Sequence, residues 1–285
     1  MATHKSYYFI YKIRRWKFAF KRYRMNKHSN SKVTQKTYIF IPGGWHGGWA
    51  YDSIIERLEL LKKKCIALTL PGLESKQDKQ NQIINLDTHI QFVIDFLNRE
   101  NITDVILCGH SYAGMVMTGV ADTIPEKIYG LVYIDAYVPE NGDSCFNLTS
   151  DAYRNLFVTG AGENGFTVDN PPGKDKRRRP HPLAAFMQNI RLHGNYKKIP
   201  NRAFIYLSGW AGTPFFKQYE TLKKSKSWHV ETIHSIHNVM REHPDELTDV
   251  LCKLENKFTS QKTMNNQQGI CNMAAGCVDA GYKVP

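Results

Sequence analysis

The stretch Asp104–Val116, DVILCGHSYAGMV, decides the fold. Val105 to Cys108 reads as a short buried strand and Met115 to Val120 as the body of a helix. The chain must therefore turn sharply through Gly109, His110, Ser111, Tyr112 and Ala113 before Gly114 resumes it. Small residues two before and two after Ser111 let strand and helix approach closely and force the serine to the apex. A hydroxyl exposed on a strained strand-to-helix turn is where an activated nucleophile is expected. The plainer alternative is a serine that only caps a helix, and the rest of the chain has to separate the two.

Outward from this turn the pattern is regular. TYIFIP (Thr37–Pro42), CIALTL (Cys65–Leu70), GLVYID (Gly130–Asp135), AFIYLS (Ala203–Ser208) and HVETIH (His229–His234) read as further strands. Most are apolar on both faces, as in a parallel sheet covered by helices. Helical patterns separate them at Tyr51–Leu61, Asp87–Asn98, Ser111–Ile124, Phe215–Lys224 and Pro244–Lys257. Strand and helix in alternation predict an α/β fold, a doubly wound and mostly parallel sheet. The gap from Asp135 to Ala203 is too long for a simple connection. It predicts a helical cap over the site at about residues 137–200, with Phe146, Tyr153, Phe157, Phe166 and Phe186 suggesting an apolar pocket.

The bulk numbers agree with one large domain. The chain has 285 residues, 42% hydrophobic and 12% aromatic, which suffices for a sizeable core. No apolar run approaches the ~20 residues that span a bilayer. Six cysteines without any C-x-x-C pair do not make a disulfide scaffold, so a reducing, cytoplasmic location is expected. The net charge of +12 suggests nucleic acid until it is located. Residues 1–36 hold eleven Lys or Arg and no Asp or Glu, leaving the body nearly neutral. The basicity belongs to an N-terminal extension, and a nucleic-acid partner is not expected. Phe9, Ile13, Trp16, Phe20 and Tyr23 recur at helical spacing there, which allows weak contact with an anionic membrane surface. The domain is expected at 37–257, followed by a polar tail at 258–285.

A serine that transfers acyl groups needs a base, a group that orients the base, and donors for the oxyanion. In an α/β sheet these converge at the carboxyl ends of the strands. The glycine-rich loop IFIPGGWHGGW (Ile39–Trp49) follows the first strand, and there the main-chain N–H of Gly44 is the candidate first donor. The N–H of Tyr112, just after Ser111, is the second. A phosphate-binding loop is excluded because no Gly-Lys-Ser/Thr ending follows. The loop after the last strand offers His234, His237 and His243. His234 ends the strand and His243 precedes Pro244, which leaves His237 free to reach the apex. The acid is harder to place, because GWAGTPFF (Gly209–Phe216) contains no Asp or Glu. Asp135, at the end of an apolar strand, is the candidate; Glu220 is the competitor, inside a predicted helix.

FIPGGWHGGW, LPGLESK, NLDTHIQFV, CGHSYAGMVMTGVAD, LVYIDAYVPENGDS and IHNVMREHPDELTDVL together resemble the α/β-hydrolase superfamily. They are most similar to the small-esterase branch of plant methylesterases, hydroxynitrile lyases and bacterial pyrethroid-hydrolase-like esterases. The likeness covers about Thr37 to Lys257. Pro42 stands where a His is usual before the oxyanion glycine, and Ala113 stands for the second Gly of the elbow. Members commonly carry the acid after the seventh strand, but relatives such as haloalkane dehalogenases carry it after the sixth, which matches Asp135. The resemblance implies a hydrolase free of cofactor and metal, acting on a small-molecule ester through Ser111, His237 and Asp135. Two other functions compete with it: a ligand-binding protein with vestigial turnover, and a hydroxynitrile lyase. The lyases of this branch have a further lysine near the site and a Thr where this chain has Gly44.

Overall fold

The apolar runs form one sheet. In the computed structural model, which describes residues 35–74, 83–162, 165–173 and 175–276, its strands are β1 (Thr37–Ile41), β2 (Lys64–Ala67), β3 (Val105–His110), β4 (Ile128–Ile134), β7 (Arg202–Leu207) and β8 (His229–Ile233). All are parallel, in the order β2-β1-β3-β4-β7-β8. The N-terminal extension, with the candidate membrane-binding stretch, lies outside the described residues.

Why the strands are apolar throughout follows from the pleat, which sends alternate side chains to opposite faces. Ile39, Ile41, Val105, Leu107, Leu131 and Tyr133 pack on one face. Tyr38, Phe40, Ile106, Cys108, Val132 and Ile134 pack on the other. The first face is covered by α2 (Leu86–Arg99) and α3 (Ala113–Thr123), the second by α1 (Asp52–Leu60) and α9 (Pro244–Gly276). An Asn85/Thr88 capping box starts α2 and satisfies its first free N–H groups. Its buried Leu86, Ile90, Val93, Ile94 and Leu97 then recur at helical spacing.

The end of the domain differs from expectation. α9 does not stop at Lys257 but runs to Gly276, and Phe258, expected to begin a loose tail, is fully buried. Leu247, Leu251, Leu254 and Phe258 lie on one helical face, and the Phe258 ring fills the space beside Gly130 of β4. The polar residues after it hid a pattern whose apolar positions are spaced by three and four.

Between β4 and β7 the cap holds α4 (Cys145–Leu148), α5 (Asp151–Thr159) and α6 (Leu183–Met187). It also holds a two-stranded antiparallel ladder, β5 (Thr167–Val168) with β6 (His181–Pro182). Two short helices, α7 (Phe216–Leu222) and α8 (Val239–Glu242), complete the described chain. Among the described residues no helix is long and apolar enough to cross a membrane. The sheet order reverses direction between β1 and β3, so a crevice opens at their carboxyl ends. The glycine-rich loop and Ser111 both stand there.

Candidate active site

Ser111 sits between β3 and α3 in the left-handed region, at φ 55°. A non-glycine residue resists this conformation by about 1–2 kcal/mol, and such strain persists only where the surroundings over-determine it. Here the main chain does so on both sides. The Ser111 N–H donates to Ile134 O at 3.3 Å, and Ser111 O accepts from Gly114 N at 3.1 Å and Tyr137 N at 3.2 Å. A side chain at Gly114 would collide with the main chain of Tyr137. That contact explains why glycine follows Ala113.

Asp135 follows β4 in the same strained region, at φ 43°, and is fully buried. Its N–H donates to Ile205 O at 2.8 Å, which ties the end of β4 to β7. One carboxylate oxygen, Oδ1, accepts the Leu207 N–H at 3.5 Å. The other, Oδ2, lies 2.7 Å from Nδ1 of His237, in the loop after β8. Burial pushes the His237 pKa down to about 3, with His46 adding to the effect. Burial pushes Asp135 well up, opposed by the Leu207 hydrogen bond. Glu220 lies within α7, His234 stands 3.3 Å from Ser208 Oγ at the end of β8, and His243 ends α8.

The glycine-rich loop is shaped by Trp45, at φ 65°, and by His46, whose Nδ1–H donates to Gly44 O at 2.7 Å. Among the described residues, no main-chain bond takes up the N–H of Gly44 or of Tyr112. The Tyr112 ring turns away into the core, where its hydroxyl donates to His89 Nδ1 at 2.8 Å while His89 Nε2–H donates to Pro71 O at 3.0 Å. The cap is latched to the same loop. Trp45 Nε1 donates to Val168 O at 3.0 Å, and Trp45 O accepts from Arg179 N at 3.1 Å.

Ser111, His237, Gly44 and Tyr112 border one cavity of about 20 Å³, while Asp135 lies behind His237. Its other walls are aromatic: Trp45, Tyr137, Tyr153, Phe157, Phe186, Trp210 and Phe215, with Cys145 and Pro214 between them. Two cap residues expected there are elsewhere. Phe146 packs against the core, and Phe166, in the bend just before β5, is 71% exposed. The loop after β7, which lacks an acid, instead contributes Trp210 and Phe215, the former with its ring centroid 4.3 Å from that of His237. A residue not expected from the sequence is His110. Its Nε2–H donates to the His237 carbonyl at 2.8 Å, and the two rings lie 4.3 Å apart. The only sequence signal for it was its place beside Ser111. A wider open groove between β8 and α9, about 810 Å³, shares no lining residue with this cavity.

Residues 38–250 match the alpha/beta hydrolase family, and the chain belongs to it. The carbendazim hydrolyzing esterase of Nocardioides sp. (strain SG-4G) is 31% identical over 238 residues, covering 76% of this chain and 98% of that one. Methylesterase 10 of Arabidopsis thaliana is 24% identical over 151 residues, 52% of each chain. Among solved structures, an extracellular alpha/beta-hydrolase from a Paenibacillus species superposes with a TM-score of 0.67 at 19% identity, over 76% of this chain and 98% of that one. At that identity the likeness is one of fold. Relatives named as esterases and hydrolases support carboxylic ester hydrolase activity for this chain.

Proposed function

We propose that the chain cleaves a small, apolar carboxylic ester through an acyl-enzyme on Ser111. The observation that carries this reading is the 2.7 Å pair of His237 Nδ1 and Asp135 Oδ2, whose imidazole borders the same cavity as Ser111. A carboxylate bound at Nδ1 fixes the proton on that nitrogen and leaves Nε2 with a lone pair for the serine hydroxyl. His237 takes that proton as Ser111 Oγ attacks the ester carbon. It returns the proton to the departing alcohol, and then activates the water that releases the acid. Asp135 stabilises the imidazolium formed on the way. The N–H groups of Gly44 and Tyr112 receive the oxyanion, each worth about 3 kcal/mol in such sites.

The aromatic walls favour a flat, apolar substrate. A free volume of about 20 Å³ is far below the roughly 300–1,000 Å³ of a ligand pocket, so the rings of the cap part on binding. Among the described residues no lysine or threonine lines the cavity, which favours the hydrolase over a lyase. The free thiols of Cys65, Cys108, Cys145 and Cys252 fit a reducing, cytoplasmic setting. Within the same reading, the basic extension contacts anionic membrane surfaces weakly, and a chain begun at residue 34 loses sedimentation with anionic vesicles. The chemistry is tested by turnover of short p-nitrophenyl esters and by covalent labelling with a fluorophosphonate. Ser111→Ala is expected to abolish both while the thermal midpoint holds. A folded Ser111→Ala protein that still turns over the ester removes Ser111 from the role.

A further inference from the structure

His110 ends β3 with its side chain buried, 2% exposed, beside the serine and beneath the histidine of the site. Its Nε2 lies 2.8 Å from the main-chain carbonyl oxygen of His237. A carbonyl can only accept, so Nε2 carries the proton and a neutral ring leaves Nδ1 as a bare lone pair. That Nδ1 is buried without a hydrogen-bond partner. It faces Gly43, where an added Cβ would come within 2.8 Å of it. Burial and the neighbouring His237 hold the His110 pKa well below the ordinary histidine range, which keeps the ring in this one neutral form. A single rigid ring therefore touches three segments: the glycine-rich loop after β1, the apex after β3 and the loop after β8.

From this juxtaposition we infer that His110 is a positioning residue, which holds the main chain of His237 so that its imidazole meets Ser111. The inference rests on the proposed roles of Ser111 and His237. Asp135 fixes how the His237 ring is turned but not where the loop places it. The loop after β8 is short of regular support: α8 begins only at Val239, and Ile236 is exposed. Without the Nε2–H bond the His237 carbonyl loses a partner and the loop can drift. A displacement of about 1 Å at a reacting group costs on the order of 100-fold in rate. Histidine suits the position because its donor stands two bonds beyond Cγ on a rigid ring, and the space at Gly43 admits its other edge.

Three variants test this, read by kcat and KM on a short p-nitrophenyl ester, by fluorophosphonate labelling rate, and by thermal midpoint. Glutamine carries an N–H donor at nearly the reach of Nε2; asparagine has the same chemistry one methylene shorter; leucine has no donor. His110→Gln is expected to keep kcat within about fivefold. His110→Asn and His110→Leu are expected to lose about 100-fold in kcat and in labelling rate, with KM within about threefold. Should the leucine variant fail to fold, the Gln and Asn pair decides the matter, since the two differ only in reach. His110→Gln should also leave the acid limb of the pH profile in place, because His110 does not titrate in the working range. Equal activity of the Gln and Asn variants, or a shifted limb in His110→Gln, overturns the inference. Ser111→Ala is measured alongside, so an error in the nucleophile shows separately from an error in His110.

Discussion

The carboxyl ends of β4 and β7 are neighbours in the sheet, paired from Leu131–Arg202 to Ile134–Ile205. At the end of β4 the chain turns through a strained, fully buried carboxylate, Asp135. At the end of β7 it runs into Gly209–Phe216, which has no acid and presents Trp210 and Phe215 to the cavity. The β7 end still serves the carboxylate, but only with main chain: Ile205 O holds the Asp135 N–H, and the Leu207 N–H reaches Oδ1. One strand supplies charge and its neighbour supplies shape. What decides which residue meets His237 is adjacency in the sheet, and a carboxylate on either side of the gap can satisfy it.

The comparison breaks most severely at Asp135. Asparagine tolerates the left-handed conformation, so Asp135→Asn keeps the turn and removes only the charge. In the proposed mechanism it favours the wrong tautomer of His237, and kcat should fall by about 10⁴ with KM little changed. A loss of only a few-fold in steady-state kinetics would return the acid to another residue.

Acid gives the next largest effect, and it falls on the histidine-rich side of the site rather than on the β7 loop, where Gly209–Phe216 holds no titratable group. Burial pushes His89 down to about 4 and His110 and His181 well below the ordinary value of 6.5. Each is neutral in the folded chain, whereas in the unfolded chain it takes up a proton below pH 6.5. The unfolded state therefore binds more protons, and stability present above pH 6.5 is lost as pH falls. The loss is roughly 2 kcal/mol for each histidine by pH 5. Thermal midpoints measured from pH 7 to 5 should drop steeply, and a flat profile would show that these rings are hydrated.

Trp210→Ala addresses shape. The ring shields His237 from water, so its removal should raise the His237 pKa back toward the ordinary value and move the acid limb of kcat/KM upward. A loss of about tenfold in kcat/KM is expected, about 1.4 kcal/mol. An unmoved limb would assign the indole to substrate contact alone. The smallest effect belongs to Gly212→Ala. Gly212 is at φ 72° with nothing within 4 Å of an added Cβ. The substitution should cost about 1 kcal/mol in denaturant unfolding and leave kcat unchanged, because nothing at that tip takes part in proton transfer.

Much of this arrangement was legible in the sequence where the physics is local. β1, β3 and β4 are buried on both faces, so their apolar runs are continuous and hard to mistake. Ser111 announced itself through the small residues that let β3 and α3 close on it. Other features depend on neighbours that a linear pattern does not carry. β5 and β6 are two residues each, too short to show any period. Phe146 and Phe166 read as pocket residues because aromatic character does not tell which side of a cap a ring faces. His110 was hidden because its partner is a carbonyl 127 residues away. Trp210 and Phe215 lie in an irregular loop, where no strand or helix period shows which way a ring faces.

A carboxylate reaching from β4 to the loop after β8 crosses over the end of β7, which lies between them in the sheet. Residues 211–214, at the tip of the β7 loop, are thereby released from electrostatic duty: they keep Trp210 and Phe215 in place, and Pro214 adds to the cavity wall. In most designs that put the acid on this loop, any insertion or drift there would risk the chemistry itself. In the proposed mechanism, selectivity and reactivity are therefore heritable separately. A mutational library confined to 211–214 can explore new substrate outlines while the proton relay is inherited intact, and this is the segment in which a lineage could change its diet first.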